Sequence, residues 1–217
     1  MTNQSKISIR MASAAAVAVT LAAGLVASSF TCGEALPQVS KTAGYGVPGR
    51  AVDLGLSVLW GDQNIGATGP DDAGRLFGYG DISGAVTTCS YADYVSQDIV
   101  GTDRDPAYVF WGGGWRMPTA SEVNELVERC EWRWTVRNGV EGYVVKGRTG
   151  SIFLPTTGQR SGSEVAYAKT RGYYWSGEVS EADADYACAL FFYRGGHMLK
   201  EYRRFYGFAI RPVKEEF

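Results

Sequence analysis

The sequence predicts a strand-rich domain with at least one helix, and three observations lead to this prediction. The 217 residues include 28 Gly, 13 Tyr and 6 Trp, a composition that favours turns and strands. Short apolar stretches alternate with Gly, Asp and Pro from residue 51 onward. One segment, residues 119–131, has helical periodicity instead. Without an amino-terminal signal about 186 residues remain, which is the size of a single domain.

The amino terminus has the pattern of an export signal. Lys6 and Arg10 precede a weakly polar to apolar run, residues 11–30. Cys32 follows this run at a position similar to the cysteine at which bacterial lipoproteins are cleaved and acylated. Three outcomes stay open, namely lipidation at Cys32, plain secretion after cleavage before Phe30, and a retained helix long enough to span a bilayer.

The chain divides into three segments by composition. Residues 1–31 are interpreted as a secretory or lipoprotein signal. Residues 32–50 are interpreted as a linker, because Gly and Pro recur there without hydrophobic periodicity. The folded domain is expected to cover residues 51–217. Its predicted strands lie at residues 52–56, 58–60, 143–145, 152–154, 189–193 and 208–213.

A helix is predicted to begin after Thr119, because Thr119 and Glu122 have the spacing of a capping box. The helix is expected to end near Glu131, where Trp132 and Trp134 alternate with a polar residue as in a strand. One face of this helix should be buried, because four apolar residues recur at helical spacing: Val123, Leu126, Val127 and Cys130.

Near the carboxyl end, the sequence predicts a β-ribbon formed by residues 189–193 and 198–202. The adjacent Gly195 and Gly196 are expected to supply the positive φ angles of a tight turn. Aromatic and cationic side chains interleave here, and strand alternation would place them on a common exposed face. We predict that eight residues form a ligand-binding surface: Tyr193, Arg194, His197, Lys200, Tyr202, Arg203, Arg204 and Tyr206.

Such a surface suits a glycan or protein ligand. Aromatic rings stack on the apolar faces of sugars or side chains, and Arg offers a planar fork to carboxylates. The alternative is that Tyr202 and Tyr206 pack on the core while the cations keep a sheet edge soluble.

Charge and histidine content exclude several function classes. The formal net charge is −2, and removal of Lys6 and Arg10 leaves 19 basic and 23 acidic residues. Since no long basic run is present, nucleic acid is not an expected partner. His197 is the only histidine, which excludes metal sites with two or more His ligands. No cofactor is predicted.

Two cysteine hypotheses stay open. A Cys188–His197 nucleophile pair would require the thiol and the imidazole to lie within hydrogen-bonding distance. Cys188 lies in an apolar sequence typical of a buried residue. Export to an oxidising compartment would allow a Cys130–Cys188 disulfide.

Carboxylates could supply calcium ligands or a glycosidase-like pair, although solvated loops explain them as well. The candidate residues are Asp71, Asp72, Asp103, Asp105, Glu181, Asp183 and Asp185.

Several blocks spread over residues 51–213 form a recognisable combination: Ala51-Val52-Asp53-Leu54-Gly55-Leu56, Trp115-Arg116-Met117-Pro118-Thr119, Tyr174-Trp175-Ser176 and Ile210-Arg211-Pro212-Val213. This combination resembles the Fibrobacter succinogenes major paralogous (FISUMP) domain family. The resemblance implies an α+β, C-type-lectin-like domain with a twisted antiparallel sheet, one or two helices and long loops. It also implies an exported, often lipid-anchored protein of Bacteroidetes-like bacteria, located at the cell surface or outer membrane.

The sequence therefore predicts an exported, non-catalytic binding module for an extracellular glycan or protein, attached to the membrane if Cys32 is lipidated. A weaker likeness to the formylglycine-generating enzymes leaves an enzyme on a similar scaffold as an alternative. A structural envelope or pilus subunit is a third hypothesis.

Overall fold

The computed structural model describes residues 45–215. The predicted signal, the first part of the linker and Cys32 lie outside the described residues. In the part of the chain that is described, no helix is long and apolar enough to cross a membrane.

The described residues form twelve strands, two α-helices and a short 3-10 helix. The helices are α1 (Pro106–Trp111), α2 (Ala120–Arg129) and the 3-10 helix Tyr91–Asp93. The strands are β1 (Ala51–Val52), β2 (Leu59–Gly61), β3 (Trp115–Arg116), β4 (Glu131–Arg137), β5 (Val140–Lys146), β6 (Ser151–Pro155), β7 (Gln159–Ser161), β8 (Glu164–Ala166), β9 (Arg171–Val179), β10 (Tyr186–Tyr193), β11 (Gly196–Arg203) and β12 (Val213–Lys214).

The strands are arranged in four small antiparallel sheets. Their orders are β1-β2-β12-β3, β11-β10-β9, β4-β5-β6 and β7-β8. The expected α+β, C-type-lectin-like fold is wrong, because the described residues are mostly β and only 11% of them are helical. The physical reason is that α2 alone sustains a helical period, whereas α1 begins at Pro106 and ends before Gly112, which limits it to six residues.

The sheet β11-β10-β9 separates two apolar clusters. Side-chain alternation along β9 directs Tyr173 and Trp175 into one cluster, called the first core, and Tyr174 into the other, called the second core. The first core also contains Phe77 and Phe208, and the second core contains the buried face of α2. Both faces of β9 are therefore covered, which explains its nearly continuous burial.

The helix prediction is confirmed. The Glu122 amide donates to the Thr119 hydroxyl over 3.1 Å, and the Thr119 amide donates to the Glu122 carboxylate over 2.8 Å, which completes the capping box. Val123 and Leu126 are buried in the second core, as the helical spacing predicts. The following strand, β4, is confirmed as well.

The β-ribbon is confirmed, but the predicted role of its glycines is wrong. Strands β10 and β11 pair from Tyr186 with Arg203 to Tyr193 with Gly196. Neither Gly195 nor Gly196 has a positive φ angle. The two-residue turn therefore does not depend on the left-handed conformations that the glycines were expected to supply.

Two predicted strands are much shorter in the structure, and one residue of the expected linker packs on the predicted domain. Strand β1 ends at Val52 because Gly55 has a φ of 73° and turns the chain. The segment 208–212 makes only isolated bridges, through Phe208 to Phe77 and through Ala209 to Tyr174. Part of the expected linker packs against the domain, since the Tyr45 ring stacks on Phe110 at 3.5 Å.

The Glu122 carboxylate is expected to make a contribution to stability that depends on pH. Burial favours its neutral form, but the bidentate pair with Arg116 and the bonds from Thr119 outweigh burial and lower the pKa of Glu122. A depressed folded-state pKa means that this stability is present above the unfolded value of 4.5 and is lost as the pH falls through the folded value.

Glu122→Gln keeps the side-chain shape and removes the charge. We expect it to lower the free energy of unfolding at pH 7 by about 1–2 kcal/mol, with a difference from the parent chain that shrinks toward pH 3. Urea denaturation at a series of pH values tests this, with Glu128→Gln on the exposed side of α2 as the control. A difference that grows on acidification would contradict the expected sign.

Candidate functional site

The first-core side of the sheet β11-β10-β9 extends at one end into a partly exposed surface of aromatic rings and cations. We call this surface the aromatic–cation face and define it by six residues: Tyr167, Arg171, Phe191, Tyr193, Lys200 and Tyr202. The ladder pairs Arg171 with Tyr193, so their side chains lie on the same side of the sheet. Strand alternation adds Phe191, Lys200 and Tyr202 to that side.

The Arg171 guanidinium is the cation of this face that lies nearest to an aromatic ring. Its carbon lies 3.9 Å from the centroid of the Tyr167 ring, which is close enough for a cation–π interaction. One guanidinium nitrogen donates to the Tyr173 hydroxyl over 3.5 Å, and this bond raises the pKa of Arg171. Arg171 is thereby oriented without an acidic partner among residues 45–215, which leaves its charge unneutralised for a ligand.

Tyr167 is presented by an unusual backbone conformation. Its φ is 60°, in the left-handed region, which costs a bulky residue about 1–2 kcal/mol. Its carbonyl accepts from the amides of Thr170 at 3.0 Å and Arg171 at 3.1 Å, so a tight turn holds the residue in place. The residue is 49% exposed. The turn therefore places a strained, exposed tyrosine directly under the Arg171 guanidinium.

The rest of the face is a continuous aromatic surface. Phe191 and Tyr193 stack with centroids 5.8 Å apart, and the Lys200 ammonium lies 5.5 Å from the Phe191 ring. Tyr202 meets Tyr173 edge to face at 5.5 Å, and burial raises the pKa of the Tyr202 hydroxyl. Tyr193 is 43% exposed, whereas Tyr202 is partly buried. Flat apolar rings with permanent cations beside them can stack on a sugar ring and bind its carboxylate.

The structure brings together only part of the surface that the sequence predicted. Tyr193, Lys200 and Tyr202 share the aromatic–cation face, and Arg194 is exposed in the turn beside Tyr193. Tyr206 is partly buried and stacks on Phe208 at 6.1 Å.

His197 and Arg203 point to the other side of the ribbon, so the prediction of one common face is wrong for these two residues. The His197 ring stacks on Trp132 at 4.2 Å, and burial lowers its pKa. The side chain of Arg203 is exposed and lies near the Tyr186 hydroxyl, at 3.5 Å.

Arg204 does not belong to any exposed face, and its predicted placement there is wrong. The residue is 3% exposed. Its guanidinium donates to the carbonyls of Tyr94 and Val95 at 2.7 and 2.8 Å and pairs with Asp185 at 3.3 Å. Arg204 follows the end of β11, where the chain turns inward, and alternation along the strand therefore no longer predicts its direction.

Sequence reasoning missed Arg171, Tyr167 and Phe191 as parts of the face. Arg171 and Tyr173 alternate with Gly172, and this period-2 pattern could have indicated that Arg171 shares a strand face with an aromatic residue. No signal in the sequence identifies Tyr167, because its position depends on the turn that joins β8 to β9.

The structure does not assemble the Cys188–His197 pair. Cys188 pairs with Glu201, and His197 pairs with Phe192, so four residues of strand, about 13 Å, separate them along the ribbon. Burial, together with the carboxylates around it, raises the pKa of Cys188 to about 11, which disfavours a thiolate. The Cys130–Cys188 disulfide is not formed, since Cys89, Cys130 and Cys188 are all free.

The candidate carboxylates have mainly local roles. Asp105 caps α1, and Asp185 pairs with Arg204. Glu181 lies with Asp98, Glu178 and Glu201 around Cys188. Among residues 45–215, no group of three or more His, Cys, Asp or Glu side chains is placed to hold a metal ion.

A separate cavity of about 740 Å³ lies between the loop that carries Asp71 and Asp72, the β4–β5 turn, and the residues just before β9. Its polar side chains include Glu141, Thr156 and Lys169. None of the six residues of the aromatic–cation face lines it.

Comparison of the chain with protein-family models, curated proteins and solved structures finds no match.

Proposed function

We propose that the chain is an exported, cell-surface binding module without a catalytic role, and that its aromatic–cation face recognises glycans that carry carboxylate groups. The observation that carries this proposal is the Arg171 guanidinium, unneutralised and held 3.9 Å from the exposed Tyr167 ring. A carboxylate can take two parallel hydrogen bonds from such a guanidinium while the adjacent sugar ring stacks on a tyrosine.

Two further features support this ligand class, and a third argues against an enzyme. Tyr193 and Lys200 extend the same pairing of ring and cation along the sheet, which suits a ligand of several sugar units. The strain at Tyr167 lies at an exposed position, and strained backbone is concentrated at ligand-binding positions. The raised pKa of Cys188 and its separation from His197 argue against thiol catalysis by a Cys188–His197 pair, the most specific enzymatic alternative.

Export and surface display rest on the sequence. The Lys6, Arg10 and residue 11–30 pattern supports a signal, and Cys32 supports a lipid anchor. Membership in the Fibrobacter succinogenes major paralogous domain family, proposed from the sequence blocks, is consistent with display outside the cell. A module that binds polymers at the surface needs no cofactor.

Binding of the purified chain to an array of glycans and proteins tests the proposal. We expect signals from oligosaccharides with uronic acid units and weaker signals from neutral oligosaccharides of the same length. Arg171→Ala should weaken binding tenfold or more, because a hydrogen bond to a charged group contributes about 1.5–3 kcal/mol. Arg133→Ala, at an exposed position of β4, should leave binding unchanged.

Tyr167→Asn separates binding from folding. Asparagine tolerates the left-handed conformation better than tyrosine, so we expect unchanged or higher thermal stability together with a threefold to tenfold loss of affinity, or about 0.5–1.5 kcal/mol. Tyr108→Ala removes a similarly exposed ring on α1 and serves as the control. Array signals confined to proteins, or glycan signals insensitive to both Arg171→Ala and Tyr167→Asn, would refute the proposal.

A further inference from the structure

The cavity beside the β4–β5 turn has the size of a small-molecule site. Its volume of about 740 Å³ falls within the range of roughly 300–1,000 Å³ that is typical of ligand pockets. Separate segments of the chain line it, including the loop at Asp71 and Asp72, the strand β5 at Glu141, and Thr156 directly after β6. The cavity is therefore a feature of the tertiary fold and not of one loop.

The charge inside this cavity is negative and not neutralised. Asp71, Asp72 and Glu141 are partly buried, and none of them forms an ion pair within residues 45–215. Lys169 is the one cation among the described residues of the lining, and it is exposed, so its ammonium can stay in water. A concave surface lined mainly by one sign of charge concentrates ligands of the opposite charge.

The three carboxylates differ in how many acceptor positions remain for a ligand. Both oxygens of Asp72 are engaged, one by the amide and hydroxyl of Thr68 at 2.9 Å and the other by the Gly74 amide at 3.0 Å. Burial alone would raise the pKa of Asp72, but these hydrogen bonds outweigh the effect of burial. The pKa of Asp72 is therefore lowered, and its carboxylate stays charged. Asp71 accepts one bond from Asn138, and Glu141 makes no side-chain hydrogen bond to another described residue.

Thr156 supplies a second, independent indication of a ligand. The residue is 3% exposed and lines the cavity, and its hydroxyl has no hydrogen-bond partner in the described part of the chain. Its amide donates to the Glu141 carbonyl over 2.8 Å, which fixes it next to Glu141. A buried hydroxyl without a partner is unfavourable, so such groups call for a physical reason.

We propose that this cavity binds a small organic cation through primary ammonium groups. An ammonium has three donors and no acceptor, which matches the remaining oxygens of Asp71 and Glu141 and the hydroxyl of Thr156. The carboxylates of the described chain do not converge on a point that could hold a metal ion, so an extended ligand with spaced donors fits them better. The proposal is independent of glycan binding, because the aromatic–cation face contributes no residue to this cavity.

Calorimetric titration of the full chain with 1,4-diaminobutane tests the proposal, with 1,4-butanediol as a neutral probe of the same length. We expect saturable binding of the diamine that weakens as salt is added, and no binding of the diol. Asp71→Asn and Glu141→Gln should each weaken diamine binding about tenfold, because each removes one nearby charge. Glu128→Gln on α2 alters a carboxylate outside the cavity and should change nothing.

Thr156→Val is the variant that separates binding from folding. Loss of the unpartnered hydroxyl should leave thermal stability unchanged or higher, while diamine binding weakens severalfold. Equal binding of diol and diamine would overturn the proposal in favour of hydroxyl recognition. Unchanged affinity in Glu141→Gln, or no diamine binding up to about 10 mM at low salt, would overturn it outright.

Discussion

Replacing Arg211 with methionine is expected to lower the free energy of unfolding by about 3–5 kcal/mol. Arg211 is 1% exposed, and burial lowers its pKa to about 10. Its guanidinium donates to the Asn64 side chain at 2.7 Å and to the carbonyls of Gly61 and Phe153 at 3.0 Å. Methionine fills similar space but leaves three buried acceptors without a donor.

Urea denaturation followed by tryptophan fluorescence measures this effect. Arg211→Lys should also be strongly destabilising, because one ammonium cannot reproduce the planar arrangement of donors that meets three acceptors. Arg133→Met, on an exposed position of β4, should change stability by no more than about 0.5 kcal/mol. A loss below about 1 kcal/mol in Arg211→Met would show that Arg211 does not hold these segments together.

Asp105→Ala is expected to lower the free energy of unfolding by about 2–4 kcal/mol. Asp105 is fully buried, and one carboxylate oxygen caps α1 by accepting from the amides of Ala107 and Tyr108. The other oxygen accepts from the amides of Gly101 and Met117 at 2.9 and 2.8 Å. The single side chain thus ties α1 to the loop before it and to the segment that precedes α2.

Asp105→Asn is expected to be an intermediate case. The amide keeps one accepting oxygen but presents donors to the other two amides, so we expect a loss smaller than that of Asp105→Ala. Thermal and urea denaturation provide the measurement, and Asp103→Asn at an exposed position is the matched control. Equal stability of Asp105→Ala and the parent chain would mean that solvent satisfies the four amides.

The elements that could be predicted from the sequence are those fixed by local spacing. The capping box at Thr119 and the apolar period of α2 are contained within a dozen residues, and the structure confirms both. The β-ribbon follows for a similar reason, since two strand-forming stretches flank a two-residue turn.

The fold class could not be predicted correctly because it depends on how short strands pair over long distances. Strand β12, for example, pairs with β2 and β3, and nothing in two residues of sequence indicates these partners. The resemblance of sequence blocks implied one architecture, whereas the pairing produces four small sheets.

The predicted binding surface was partly wrong for the same physical reason. An arginine near a strand end can face solvent, as Arg203 does, or turn into the core and satisfy carbonyls, as Arg204 does. Composition does not distinguish these two outcomes. Tyr167 belongs to the face because of a turn in the left-handed conformation, which sequence spacing does not encode.

The most direct test of the central claim is a residue-level map of the binding surface. Amide chemical shifts of the labelled chain should be recorded by NMR with and without a uronic acid oligosaccharide. The proposal predicts that the largest shift changes occur at the six residues of the aromatic–cation face. Changes centred on the second-core side, around Cys188 and His197, or no changes on that face at saturating ligand, would contradict it.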